Sequence, residues 1–221
     1  MTGTKQTQSI AFKVLARIRG HRKGSVFTPA DFADLGSATA VHLALMRHQR
    51  TGRIRRLARG LYDFPRTHPQ LGTLAPAPDA VAKALQARDG CRLQPTGAHA
   101  ANLLGLSTQV PTRIAYLTDG PSRLVRIGRQ EIQLKRRNSR VMATAGRPSG
   151  LVIQALSHLG RDAVDQQVLD TLTSRFSPKE LASMGEDARY APAWIADILR
   201  QLAARAGEVT TQEAQTGPMN D

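Results

Sequence analysis

Apolar residues return at three- and four-residue intervals through the first fifty positions and then give way to short alternating runs, and this change of period organises the N-terminal part of the chain. Ile10, Val14, Leu15 and Ile18 predict an amphipathic helix over residues 8–18, closed by Gly20 and a basic turn through His21, Arg22, Lys23 and Gly24. Thr28-Pro29-Ala30-Asp31-Phe32 joins a capping hydroxyl, a proline at the first helical position and a first-turn acid, so a short second helix is expected to end at Gly36. Val41, Ala44, Leu45 and His48 predict a third helix, with Ser37 as its cap and Gly52 as its stop. His48 lies on the apolar stripe and reads as core or core edge. Arg53-Ile54-Arg55-Arg56-Leu57 and Leu61-Tyr62-Asp63 read as two strands that reverse at Ala58-Arg59-Gly60. Tyr62 is expected to pack its ring beneath the hairpin. Three helices and a basic hairpin in this order predict a winged helix-turn-helix over residues 7–66.

Pro65, Pro69, Pro76 and Pro78 then favour extended chain, and residues 67–78 read as a linker. Beyond it, helices are expected over 79–87 and 98–104, the second capped by Thr96 and ended by Gly105. Arg113 to Thr118, Arg123 to Ile127 and Glu131 to Lys135 alternate as strands, punctuated by Asp119-Gly120-Pro121 and Gly128. From Gly150 the spacing is helical, over 151–159, 164–172, 178–184 and 193–206. The fold class expected is mixed α/β, of the α+β kind, with a larger second domain over 79–206 whose C-terminal part is helical. Residues 207–221 lack apolar periodicity and are expected to be disordered.

Charge divides the chain in a different way. Residues 1–66 carry 13 Lys/Arg against 3 Asp/Glu, and residues 67–148 carry 12 against 4. Residues 149–221 reverse the balance, with 6 against 10. The net charge of +14 therefore belongs to the first two-thirds, which points to a polyanionic partner there and to separate work for the helical end. Cys91 is the single cysteine, so no intrachain disulfide forms, and no Cys/His spacing suggests zinc. The polar start and the lack of a long apolar run lead us to expect a cytoplasmic protein without membrane insertion.

Four arginines within seven residues of the hairpin suit phosphate neutralisation better than solubility alone. The candidate DNA contacts are Ser37, Thr39, His42 and Arg47 on the helix, Arg50 and Arg53 near its end, and Arg55, Arg56 and Arg59 in the wing. A second basic group, Arg123, Arg126, Arg129, Lys135, Arg136, Arg137 and Arg140, is a candidate surface for a toxin or nucleic acid, an extension of the DNA footprint, or a solvated face. No catalytic constellation stands out. Asp119 with Gln133-Leu134-Lys135 approaches a nuclease spacing, but Gln133 occupies the position of the second carboxylate and Glu131 lies two residues early. No cofactor or metal is expected, and no enzymatic activity.

The wing segment IRRLARGLYDFP, the stretch LQPTGAHAANLLGLSTQVP from Leu93 to Pro111, and RIAYLTDGP after it resemble the AbiEi-like antitoxins of the AbiE abortive-infection toxin-antitoxin systems, over residues 7–206. The resemblance implies a winged helix-turn-helix that binds inverted repeats in its own promoter, two copies occupying the repeats. It also implies a C-terminal domain that counteracts a nucleotidyltransferase-like toxin. A stand-alone winged-helix regulator, with a second domain for ligand sensing or self-association, is the alternative expectation.

Overall fold

The computed structural model describes residues 9–109, 111 and 113–215, with side chains described as far as residue 206. By backbone packing the chain divides into two units, Met1–Cys91 with Val125–Glu131 and Arg92–Leu124 with Ile132–Asp221. The fold is mixed α+β in helix and sheet content.

In the first unit, α1 (Ile10–Gly20) starts at Ser9, whose hydroxyl accepts the Phe12 N–H at 3.3 Å. β1 (Val26–Phe27) follows. The expected second helix is a 3-10 helix over Pro29–Leu35. Its start is a capping box in which the Asp31 carboxylate accepts the Thr28 N–H at 2.6 Å and the Thr28 hydroxyl at 3.0 Å. Then come α2 (Ala38–Arg50), β2 (Arg55–Ala58) and β3 (Leu61–Asp63). The sheet order is β1-β3-β2, all antiparallel, with Phe27 opposite Tyr62 and Arg55 opposite Asp63. β1 was not legible in the sequence: two residues are too short to alternate.

Val14, Ile18, Phe27, Phe32, Val41, Leu45, Ile54 and Tyr62 form the core of this unit. Phe27 meets Phe32 edge-on at 5.5 Å and stacks on Tyr62 at 6.4 Å, so the Tyr62 ring does lie beneath the hairpin. His48 is buried as expected, its Nε2–H donating to the Ala11 carbonyl at 2.8 Å and so tying α2 to α1.

The Pro-rich segment is more ordered than a linker. It holds a hairpin of β4 (Thr67–His68) and β5 (Gly72–Thr73), closed at its base by Leu74 N–H donating to the Arg66 carbonyl at 2.8 Å. The prolines flank these strands without occupying a paired position, which is where proline's missing donor is tolerated. The division between units falls after Cys91 and not within 67–78, because α3 (Pro78–Asp89) buries Val81 and Leu85 and makes contacts with β1.

The second unit opens with β6 (Leu93–Pro95) and α4 (Ala98–Leu103), and β7 (Ile114–Thr118), β8 (Arg123–Ile127) and β9 (Gln130–Arg136) follow along the chain, residues 125–131 being grouped with the first unit. The strand order is β6-β7-β9-β8: β6 runs antiparallel to β7, while β9 inserts beside β7 in parallel, Tyr116 opposite Leu134. Thr96 does not cap α4. Its hydroxyl donates to Gln154 Oε1 at 2.7 Å, and Gly97 stands at the cap position with φ +63°.

α5 (Pro148–Leu159), α6 (Gln166–Arg175), α7 (Pro178–Asp187) and α8 (Ala193–Gln215) complete the unit. Their apolar faces gather Val152, Leu156, Leu172, Leu181, Met184, Ile195, Leu199 and Leu202, which are 0–1% exposed, around Ala100, Ala101 and Leu104 of the α4 segment. Gly150 lets α5 approach the preceding chain: a Cβ there would collide with the Thr144 carbonyl oxygen and stand 2.8 Å from Gln94 Oε1. The start of α5 is fixed by buried Asp187, whose carboxylate accepts from Arg147 at 2.7 Å and from the Ser149 hydroxyl. The backbone of α8 is helical through Gln215. Residues 216–221 lie outside the described residues. Among the described residues no helix is long and apolar enough to cross a membrane.

Candidate nucleic-acid interface

The buried stripe of α2, Val41, Ala44, Leu45 and His48, fixes which face the helix turns outward. At 100° per residue, Thr39, His42, Leu43, Met46 and Arg50 fall on the opposite side, with Arg47 on its flank. Thr39, His42, Arg47 and Arg50 are exposed, and so is Leu43, at 42%. Leu43 and Met46 were not singled out in the sequence, although the same periodicity selects them. Ser37 serves the fold: its hydroxyl accepts the Ala40 N–H at 3.3 Å, which caps the helix.

The end of α2 places the next cations. The Thr51 hydroxyl donates to the carbonyls of Arg47 at 3.2 Å and His48 at 3.1 Å. The N–H groups of Arg53 and Ile54 donate to the same His48 carbonyl. Gly52, at φ +69°, makes the reversal that an L side chain resists. Ile54 drops into the core at 2% exposure, which leaves Arg53 outside. β2 and β3 meet at a two-residue turn, Arg59-Gly60, with Gly60 at φ +67°. The turn is tethered by Arg88 of α3, whose Nη1 donates to the Arg59 carbonyl at 2.9 Å.

Arg55 does not join the exposed set. Its Nε donates to Asp63 Oδ1 at 3.1 Å, one Nη donates to Asp63 Oδ2, and the same Nη donates to the Leu74 carbonyl at 2.9 Å. The Asp63 side chain is 1% exposed and that of Arg55 35%. This guanidinium therefore neutralises an internal carboxylate and holds the base of the β4–β5 hairpin. The sequence misled because the period of β2 distinguishes faces without revealing that an acid stands across the strand pair. By contrast, Arg47, Arg50, Arg53, Arg56 and Arg59 are exposed and form no ion pair among the described residues. Arg17 of α1 is paired, with Asp34 at 2.6 and 2.7 Å. These bonds hold the Asp34 carboxyl below its ordinary range and raise the guanidinium's pKa in turn.

The second basic group is not one patch. Arg126 pairs with Glu131 at 2.9 Å, and exposed Arg129 sits in the β8–β9 turn. Arg123 and Lys135 are half-buried along the strands. Arg136 and Arg137 line an open pocket with Arg92, Asp119, Asn138 and Ser139, whereas Arg140 lines a different one with Val141, Ile153 and Tyr190. Asp119 is committed to Arg92: its oxygens accept the Arg92 N–H at 2.8 Å and Nε at 2.9 Å, and the guanidinium draws the carboxyl below its usual range. Among the described residues, no three His, Cys, Asp or Glu side chains gather as a metal-binding group.

No curated protein matches the chain. A crystal structure of the RV2827C protein of Mycobacterium tuberculosis is similar at a TM-score of 0.43 and 18% identity, covering 90% of this chain and 77% of that one. The model of a family of unknown function, DUF6088, matches residues 13–182, which is most of the chain, and the chain belongs to that family.

Proposed function

We propose that the first unit is a winged helix-turn-helix that binds double-stranded promoter DNA, and that the chain is a cytoplasmic antitoxin and autorepressor of a toxin-antitoxin operon. The observation that carries the DNA-binding reading is the run of five exposed arginines that form no ion pair among the described residues, Arg47, Arg50, Arg53, Arg56 and Arg59, from the end of α2 into the β2–β3 turn. Structural cations on a folded surface find acids, as Arg17 and Arg55 do. Cations left unpaired beside a helix face that carries no packing suit a phosphate backbone. The succession α1, β1, 3-10 helix, α2, hairpin, with β3 between β1 and β2, supports the same reading.

In this mechanism α2 enters the major groove. Thr39, His42 and Arg50 meet base edges, and Arg53, Arg56 and Arg59 meet phosphates beside it. Inverted repeats are filled by two copies. The toxin-directed role extends the resemblance in LQPTGAHAANLLGLSTQVP and assigns neutralisation of a nucleotidyltransferase-like toxin to the second unit.

The test is binding to the chain's own upstream DNA and to a scrambled duplex across a salt series. Preference for the upstream duplex that persists as salt rises supports the reading, and equal, salt-labile binding to both refutes operator recognition. Co-expression with the toxin encoded beside the gene tests the second half: growth rescue is expected, and its absence removes the antitoxin role.

A further inference from the structure

The second unit carries a pocket that the DNA-binding reading does not use. Its volume is about 540 Å³, it opens to solvent, and every residue that lines it is polar or charged: Arg92, Asp119, Arg136, Arg137, Asn138 and Ser139. Three guanidiniums face one carboxylate, and that carboxylate is already taken by Arg92. Arg136 and Arg137 are exposed and form no ion pair among the described residues.

Their backbone is held firmly. The Arg136 N–H donates to the Ser122 hydroxyl at 2.9 Å and the Arg137 N–H to the Thr118 carbonyl at 2.8 Å, while Arg137 Nη1 donates to the Arg136 carbonyl at 3.1 Å. Asn138 Oδ1 accepts the Val141 N–H at 3.0 Å, and that bond fixes the side-chain amide at the pocket. Two guanidiniums that form no ion pair among the described residues thus stand on a fixed main chain, that of Arg137 with one Nη on the Arg136 carbonyl and its other donors left over, beside the neutral donors Asn138 and Ser139. That is the donor set for an oxyanion with several acceptor oxygens.

We propose that this pocket binds phosphate groups, those of a nucleic-acid backbone or of a free phosphate compound, through Arg136 and Arg137 with Arg92 as the third cation. A protein partner fits it poorly, because interface cores are built on apolar and aromatic anchors and this lining offers none. Asp119 has a positioning role. It accepts both the side chain and the main-chain N–H of Arg92, which sets that guanidinium at the rim, and it leaves the other two arginines uncompensated. The inference does not rest on the first unit's binding DNA.

The test uses the full chain with and without the paired change Arg136→Gln and Arg137→Gln, which keeps the main-chain bonds. The control is Arg126→Gln with Arg129→Gln, which removes the same formal charge elsewhere. Each protein is titrated with inorganic pyrophosphate and with a mixed-sequence single strand of about twelve nucleotides, a length within the usual site range. The Arg Nε–Hε signals are followed by NMR.

Wild type and control are expected to bind both probes with shifts at Arg136 and Arg137, and the pocket variant to lose at least about tenfold in affinity. If the strand binds more tightly than pyrophosphate, and the variant's log–log salt slope falls by about 1.4, two backbone phosphates are the ligand. If the strand binds no more tightly, the source is a free phosphate compound. A pocket variant that binds both probes as wild type does, or a control that loses as much as the pocket variant, overturns the proposal.

Discussion

Replacing Arg55 by alanine leaves the Asp63 carboxylate, 1% exposed, without its cation and removes three hydrogen bonds, two to that carboxylate and one to the Leu74 carbonyl. An uncompensated buried charge of this kind costs about 3–5 kcal/mol. Replacing Asp63 by alanine leaves an arginine whose side chain is 35% exposed, retains the Leu74 bond and turns toward water, so the cost falls to about 1–2 kcal/mol. The two losses are therefore unequal, and the double variant Arg55→Ala/Asp63→Ala is expected to be more stable than Arg55→Ala alone.

Because the chain has two units and its single tryptophan, Trp194, lies in the second, a global unfolding signal would blur this comparison. Native-state hydrogen exchange of the β1–β3–β2 amides reads the first unit directly. The same variants separate structure from DNA contact. Arg55→Ala lowers protection in the sheet, whereas Arg53→Ala, Arg56→Ala and Arg59→Ala together leave protection unchanged and flatten the duplex-DNA salt slope by about 2.7. If Arg55→Ala stays within about 0.5 kcal/mol of wild type and instead reduces the salt slope, the internal pairing argued for it is wrong.

Gly150→Ala sets a methyl against the Thr144 carbonyl and Gln94 Oε1, neither of which withdraws without moving backbone or breaking the Gly146 N–H bond to Gln94, so a loss of about 1–3 kcal/mol is expected in denaturation followed at Trp194. Unchanged stability would show that the close approach is relaxed in solution. The Glu180 carboxyl is held below its ordinary range first by the Ser177 N–H and then by the Ser177 hydroxyl, and its contribution to α7 is present above the unfolded-state value near 4.5 and disappears as pH falls through the lower folded value. A carboxyl-carbon NMR titration checks this: Ser177→Ala should move the midpoint up only part of the way, since the backbone bond survives. A return to the unperturbed midpoint would assign the whole effect to the hydroxyl. His48→Leu breaks the Nε2–H bond to the Ala11 carbonyl, the side-chain tie between α2 and α1, and leaves that oxygen only its place in the α1 ladder, with an expected loss of about 1 kcal/mol in the α1 and α2 amides. Equal stability would mean that water replaces the bond.

Periodicity and capping chemistry by themselves determined α1, α2 and the hairpin after it, because each rests on neighbours no more than a few residues apart. Val41, Ala44, Leu45 and His48 declare one face of α2, and Gly52 and Gly60 declare its end and the turn. The helices from α5 onward were legible for the same reason, with boundaries displaced by caps such as Ser177 and by α8 running on past residue 206. Tertiary structure alone decided the long-range pairings. β1 and β6 are too short for a pattern, the β4–β5 hairpin hides among prolines, and the insertion of β9 beside β7 is a choice among sheet partners that share the same alternation. It also decided which charges remain available. Arg55 and Arg56 are adjacent and identical in the sequence, yet across the sheet one faces buried Asp63 and the other faces solvent. The runs around Arg126 and Arg136 look continuous, yet one is answered by Glu131 while the other converges with Arg92 on a pocket. A local pattern encodes the direction in which a side chain points, and only the assembled chain supplies what stands there to meet it.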